Sequence, residues 1–280
     1  MTALTYAGLT AGAEGGAPRR AFAAMVMRDV RVIRRDSLTL VIRSVVQPLL
    51  FVFVFAYVMP TIGQGVRVGS YAHGYATVLV PGTVGSTMLL TGIISVMTPL
   101  LMELTYTREI EDRLLAPLPA WGIAVEKILA GAIQSLAAGV LVFPISMVVH
   151  ASGFAPDIHV HNWALLAAVA VTGSLFAGAL GMLFGTLIDA RRSPGLLAVG
   201  LLPLTMLGCV YYPWAALRPI GWLKIATLFN PMVYLAEGLR ASLTPGVPHL
   251  PAPVVLSCLA GGTVVAGWLG VRAFLHKVVM

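Results

Sequence analysis

The sequence predicts an all-α integral membrane protein with six transmembrane helices. Of its 280 residues, 58% are hydrophobic and only 10% are charged. The polar side chains are too few to cover the surface of a water-soluble globular protein of this size. Six apolar stretches contain no Asp, Glu, Lys, Arg or His, and each is expected to be long enough to cross a hydrocarbon core of ~30 Å. They are residues 45–61, 77–102, 128–149, 164–188, 195–212 and 252–271.

The distribution of basic residues predicts the orientation. If the N-terminus is cytoplasmic, only Arg67, Arg218, Lys224 and Arg240 of the 18 Lys and Arg residues fall outside. Because basic residues concentrate in cytoplasmic segments, both termini are expected in the cytoplasm. The net charge of +7 therefore reflects membrane topology and gives no reason to expect a nucleic-acid partner. Residues 1–18 are rich in Ala, Gly and Thr and are predicted to be a disordered cytoplasmic tail.

Residues 19–43 predict an amphipathic interfacial helix that precedes the six-span membrane domain, residues 44–280. Apolar side chains recur at helical spacing on one side, and arginines crowd the other. These arginines include Arg28, Arg31, Arg34 and Arg35. The helix either binds membrane lipids and a cytoplasmic partner, or serves only as a positive anchor; the pattern favours the two interpretations equally.

The first span carries Phe51 and Phe55 on one helix face. Such a pair is a candidate lining for the path of an amphipathic substrate. Lipid contact is the more common role of aromatic side chains in a membrane helix, and it remains the simpler interpretation.

Small residues recur at every fourth position in the third and fourth spans. They include Gly131, Gly139, Gly173, Gly181 and Gly185. Because lipid supplies no hydrophobic drive for helix association, close backbone packing at small residues has to hold membrane helices together. We therefore predict that these two spans pack as a helical hairpin.

The chain lacks the residues that catalysis, metal binding or ion coupling would need. Cys209 and Cys258 have no paired spacing, and His159 with His161 is too weak a set for a metal site. No lysine follows a glycine, so no phosphate-binding P-loop is present. Ion-driven carriers need ionisable groups within the membrane, and the predicted spans have none. We therefore expect no enzyme activity and no cofactor; a channel, a scaffold or a transporter powered by another polypeptide remains.

A charged segment, residues 103–119, follows the second span on the predicted cytoplasmic side. It mixes both signs of charge with large apolar residues and ends in two prolines. It is either a short helix that docks into a soluble partner or a solvated connector. The candidate contact residues are Glu103, Arg108, Glu109, Ile110, Glu111, Asp112, Arg113 and Leu114.

Three stretches resemble the type-2 permease family of ATP-binding-cassette exporters, which includes daunorubicin-type drug exporters, nodulation-factor exporters and polysaccharide permeases. They are YATVLVPG at 75–82, EIEDRLLAPLP at 109–119, and residues 213–240, where Asn-Pro precedes a Glu and an Arg. Their order and spacing carry the resemblance, since each motif alone is weak. Arg218 departs from the family pattern, which more often has Leu before this proline.

The resemblance implies a half-transporter. Two permease subunits, identical or homologous, would sit on two cytoplasmic ATPase subunits that bind ATP and Mg²⁺, with residues 103–119 as the coupling helix. It also implies short re-entrant external helices between spans five and six. Local chemistry agrees, because Asn230 can cap a helix that starts at Pro231 and ends near Thr244. Glu237 and Arg240 lie three residues apart in this helix, where an exposed pair is the simplest expectation.

The expected function is export of an amphipathic drug-like or lipid-linked compound across the inner membrane of a bacterium. Arginine far outnumbers lysine, which agrees with a bacterial source. The alternatives are a polysaccharide or glycolipid export permease, and a membrane channel or scaffold that transports nothing by itself.

Overall fold

The computed structural model describes residues 23–28, 31, 37–63, 75–107, 119–151, 155–188 and 193–279. Within these ranges the chain is helical and contains no strand. Residues 23–28, which lie within the predicted interfacial helix, are helical, and Arg28 and Arg31 are exposed. Arg34, Arg35 and the predicted tail lie outside the described residues.

Eight α-helices carry the described fold. Helix α1 continues through a π-helical turn at Phe53–Val58 and a final turn at Met59–Thr61, and α2 continues through a π-helical turn at Glu103–Thr107. Two 3₁₀ turns, Trp214–Leu217 and Thr227–Phe229, flank α6. The helices are α1 Ser37–Val52, α2 Ala76–Met102, α3 Ala120–Val148, α4 Trp163–Leu187, α5 Ser193–Met206, α6 Gly221–Ala226, α7 Pro231–Leu243 and α8 Ala252–Val279.

A helix occupies the place of each predicted span. In the described part of the chain, α2, α3, α4 and α8 are long and apolar enough to cross a membrane. Helices α1 and α5 are shorter, so a six-span topology and the orientation of the termini stay predictions. The short elements between α5 and α8 lie where the external helices were expected.

Helix α2 lies at the centre of the bundle, packed against α3, α4 and α7, while α8 covers the other side of α4. Its buried face includes Leu79, Leu89, Ile93, Met97 and Leu100, each fully excluded from solvent. The centre of the core is therefore a three-helix contact between α2, α3 and α4.

The small residues of α3 and α4 explain how these helices approach α2. A methyl group added at Gly181 would lie 2.6 Å from the carbonyl oxygen of Ile93, and one added at Gly139 would lie 2.7 Å from Met88. The hydroxyl of Ser135 donates to the Met88 carbonyl at 2.8 Å. Helices α3 and α4 do contact each other, as the predicted hairpin requires. Most of their glycines, however, contact α2. The spacing of small residues within each span did not predict this third helix as the partner.

We predict that Gly181→Leu lowers the thermal stability of the detergent-solubilised protein. The added side chain would have to displace the α2 backbone, and overpacking of this kind typically costs about 1–3 kcal/mol. Gly261→Leu in α8 is the matched control, because a methyl group there meets no atom within 4 Å. Equal melting temperatures for the two variants would contradict the packing described.

Candidate functional site

Helix α7 begins as its sequence predicts. The Asn230 side chain accepts a hydrogen bond from the Met232 N–H at 3.0 Å, with Pro231 in the first helical position. The Asn230 amide also donates to the Leu204 carbonyl of α5 at 2.8 Å. The helix ends at Leu243, as expected from Thr244 and the proline that follows. Asn230 therefore caps α7 and fixes its start against α5.

Glu237 and Arg240 pair as predicted, but the expectation that they are exposed is wrong. Arg240 Nη1 donates to Glu237 Oε1 at 2.7 Å, and both side chains are fully buried. The face of α7 that carries them packs against α2 instead of facing solvent. Removing one partner of a buried pair typically costs about 3–5 kcal/mol, against ~0–1 kcal/mol for an exposed one.

Backbone groups complete the coordination of the Glu237 carboxylate. The Trp214 N–H donates to Oε1 at 3.0 Å, and the Leu250 N–H donates to Oε2 at 3.1 Å. Trp214 starts the first 3₁₀ turn and Leu250 precedes α8, so Glu237 joins three separate segments. Such a carboxylate is stabilised as a charged acceptor, because each donor replaces a lost water molecule.

The Arg240 guanidinium reaches the backbone of two further segments. It donates to the Val210 carbonyl at 2.9 Å and to the Val78 carbonyl in the first turn of α2 at 3.3 Å. Gly82 makes this approach possible, since a methyl group there would contact the Val210 carbonyl and lie 2.9 Å from Arg240 Nη2. The first and third sequence motifs, 75–82 and 213–240, therefore meet at Arg240. We call Glu237, Arg240 and these partners the Arg240 network.

The candidate substrate-path residues belong to an aromatic cluster of four rings. Phe51 and Phe55 stack with centroids 6.5 Å apart; Tyr211 lies 5.3 Å from Phe51, and Tyr75 lies 5.8 Å from Phe55. The rings are half-buried. Tyr75 donates its hydroxyl to the Tyr211 carbonyl at 2.7 Å, and burial raises the pKa of Tyr75 to about 12, so the donor stays protonated. Tyr211 follows Val210, so the cluster adjoins the Arg240 network.

At the opposite end of α2, the coupling candidate Glu103 is buried in the bundle and contacts α3. Its carboxylate lies 2.6 Å from Lys127 Nζ in α3, and both side chains are buried. Glu126, beside Lys127, is also fully buried. The sequence did not predict that Glu126 and Lys127 are buried in the bundle. Hydropathy placed the start of the third span at Ile128, whereas α3 begins at Ala120. The other coupling candidates, Arg108, Glu109, Ile110, Glu111, Asp112, Arg113 and Leu114, lie outside the described residues.

No cluster of three or more His, Cys, Asp or Glu side chains that could hold a metal ion occurs among the described residues. His159 lies 3.1 Å from Asp157 on the surface. The His159 and His161 backbones donate to the end of α7, so this loop is held by main-chain hydrogen bonds.

We predict that Arg240→Gln destabilises the protein by about 3–5 kcal/mol, because Glu237 is left buried without its cation. The double variant Glu237→Gln with Arg240→Gln should recover part of this loss, which a double-mutant cycle of thermal melts measures. Arg218→Gln is the control, because Arg218 is exposed. If Arg240→Gln melts like Arg218→Gln, the buried network described here is wrong.

Comparison with known proteins identifies the family. The family model for the ABC-2 type transporter matches residues 20–244, from the region before α1 through the end of α7. The inner membrane transport permease YadH of Escherichia coli strain K12 is 29% identical over 178 residues, as is YadH of Shigella flexneri. This match covers 63% of the chain and 66% of the relative, slightly less than two thirds of its length. The chain is a multi-pass membrane protein, and it belongs to the ABC-2 type transporter family.

Proposed function

We propose that this protein is the permease subunit of an ATP-driven exporter, and that separate ATP-binding subunits supply the energy. The family match across residues 20–244 carries this proposal. By analogy with YadH, a transport permease of the inner membrane, we place the protein in the inner membrane of a bacterium.

The placement of charge in the bundle supports an external energy source. Glu103, Glu126 and Lys127 are buried at one end of α2 and α3, and Glu237 with Arg240 is buried at the other end of α2. The intervening sequence has no ionisable side chain, and Ile128–Val148 alone is long enough to cross a core of ~30 Å. Proton-coupled carriers use carboxylate or imidazole groups within the membrane, and residues 79–102 of α2 and 128–148 of α3 have none.

The coupling segment in this proposal is the connection between α2 and α3. Its mixed charges at residues 108–114 suit a groove on a cytoplasmic ATPase, and its stems are the ends of two long helices of the core. Two ATP-binding subunits would act on two permease subunits, identical or homologous. Closing of the ATPases on ATP would then displace this segment and tilt the helices.

The aromatic cluster supports an amphipathic substrate. Four half-buried rings present a large apolar surface with polar edges, which suits a drug-like or lipid-linked compound. The same rings favour a second candidate, a polysaccharide or glycolipid permease, because sugar rings stack well on aromatic faces. The two candidate functions are distinguished by measuring, with the purified complex in vesicles, which of the two substrate classes is transported.

We predict that the protein co-purifies with an ATP-binding-cassette subunit encoded beside it, and that Glu111→Lys with Arg113→Glu weakens this association at least tenfold. Reversal of both charges would oppose the complementary charges of the docking groove. Binding of the ATPase to the immobilised permease measures the effect. Arg218→Glu is the control, since it lies on the predicted opposite side of the membrane.

Two results would contradict the proposal. A double variant that keeps both ATPase binding and ATP-coupled transport would show that residues 108–114 are not the coupling contact. A protein that binds no ATPase, or that alone drives uphill transport with a proton or sodium gradient, would exclude an ATP-driven permease.

A further inference from the structure

The described structure includes the two helical elements that flank the coupling segment, and we call them its stems. On one side α2 ends at Met102 and continues through the π-helical turn Glu103–Thr107; on the other, α3 begins at Ala120, directly after Pro119. Glu103 and Lys127 come from the two stems, and their charged groups lie 2.6 Å apart. Their side chains are only 9% and 8% exposed. One buried ion pair therefore closes the base of the segment.

Beyond this ion pair, the two helices are packed along their length. Ser135 of α3 bonds to the Met88 carbonyl of α2, and a methyl group at Gly131 would contact Val96. The π-helical turn begins at Glu103, where α2 leaves the bundle. Such wide turns are uncommon and frequently occur at functional sites. The ion pair thus lies at the boundary between a π-helical turn and a tightly packed core.

The other end of α2 is fixed as well. Arg240 donates to the Val78 carbonyl, and Glu237 accepts from Trp214, whose indole N–H donates to the Lys224 carbonyl of α6 at 3.0 Å. A continuous chain of hydrogen bonds therefore runs from the first turn of α2 to α6. A displacement of α2 at the Glu103 end has a bonded route to the short helices at the opposite end.

We propose that Glu103 and Lys127 are positioning residues for energy coupling. Their ion pair clamps the base of segment 104–118, so that a movement of this segment displaces α2 and α3 as one body. Without the clamp, the same movement would be absorbed by bending of the π-helical turn. This inference rests on the proposed function, because it takes the segment to be the part that an ATPase moves.

The variants separate a clamp from simple charge compensation. Lys127→Met and Glu103→Gln each break the ion pair and leave the other member of the pair buried, whereas the double variant removes both charges of the pair and leaves Glu126 in place. If the pair only balances charge, the double variant regains the behaviour of the wild type. If the pair is a clamp, the double variant assembles normally and stays uncoupled. Lys127→Arg keeps the charge and the reach, and Lys277→Gln removes an exposed positive charge as the control.

The experiment uses the full complex with its ATPase in lipid nanodiscs. A nitroxide is attached at Ile225→Cys, a position in α6 that is 65% exposed, in a Cys258→Ser background. The measurement is the change in label mobility when the ATPase is trapped with ATP and vanadate, together with the rate of ATP hydrolysis. For Lys127→Met, Glu103→Gln and the double variant we expect a mobility change at least fivefold smaller than that of the wild type. Hydrolysis should stay within twofold, and Lys127→Arg and Lys277→Gln should respond fully.

A full mobility change in the assembled double variant would overturn the clamp while leaving the proposed function intact. A wild-type chain that binds no ATPase would overturn the proposed function, and the clamp with it. Should the neutralising variants fail to assemble, Glu103→Asp decides, because it keeps the charge and shortens the arm. A weakened response would then support the clamp, and a full response would overturn it.

Discussion

The fold depends on burying Arg240 without losing the hydrogen bonds that water would give it. A guanidinium carries five N–H donors and a fixed charge, so burial is tolerated only where acceptors surround it. Glu237 supplies the opposite charge, and the Val78 and Val210 carbonyls supply the remaining contacts. These acceptors come from α7, from α2 and from the segment after α5. The requirements of one side chain therefore hold three parts of the chain in register.

Helix α2 gains its central role from what happens at its two ends. Its first turn is bonded to Arg240, and its last residues lead to Glu103 and the ion pair with Lys127. Between these points the contacts are close and largely apolar, since glycines of α3 and α4 let their backbones approach it, and Ser135 adds a hydrogen bond to the Met88 carbonyl. The polar contacts at its two ends therefore join α2 to α3 on one side and to α7 on the other.

Local signals in the sequence predicted local structure well. Asn230 and Pro231 define the start of α7 because a cap depends only on neighbouring residues, and hydropathy located a helix at each predicted span. Tertiary contacts and side-chain burial could not be predicted from such local signals. The burial of Arg240 depends on Gly82, more than 150 residues away, and the ends of the membrane part do not coincide with the ends of the helices. Hydropathy detects only the uncharged part of α3, which starts at Ile128, whereas the helix itself starts just after Pro119. Glu126 and Lys127 lie between these two points and were therefore assigned to a connecting segment.

The placement of buried charge also bears on how such a protein is energised. A charge near the end of a membrane helix costs less than one at its centre, because the interface offers water and headgroups. The Glu103–Lys127 and Glu237–Arg240 pairs lie at the two ends of α2, where they join segments at moderate cost and leave the middle of α2 and α3 without charged side chains. The described segments between these ends, residues 79–102 of α2 and 128–148 of α3, contain no Asp, Glu, Lys, Arg or His. Under the proposed function, α2 would carry a movement applied at Glu103 toward Arg240, because its two ends are bonded to Lys127 and to Arg240.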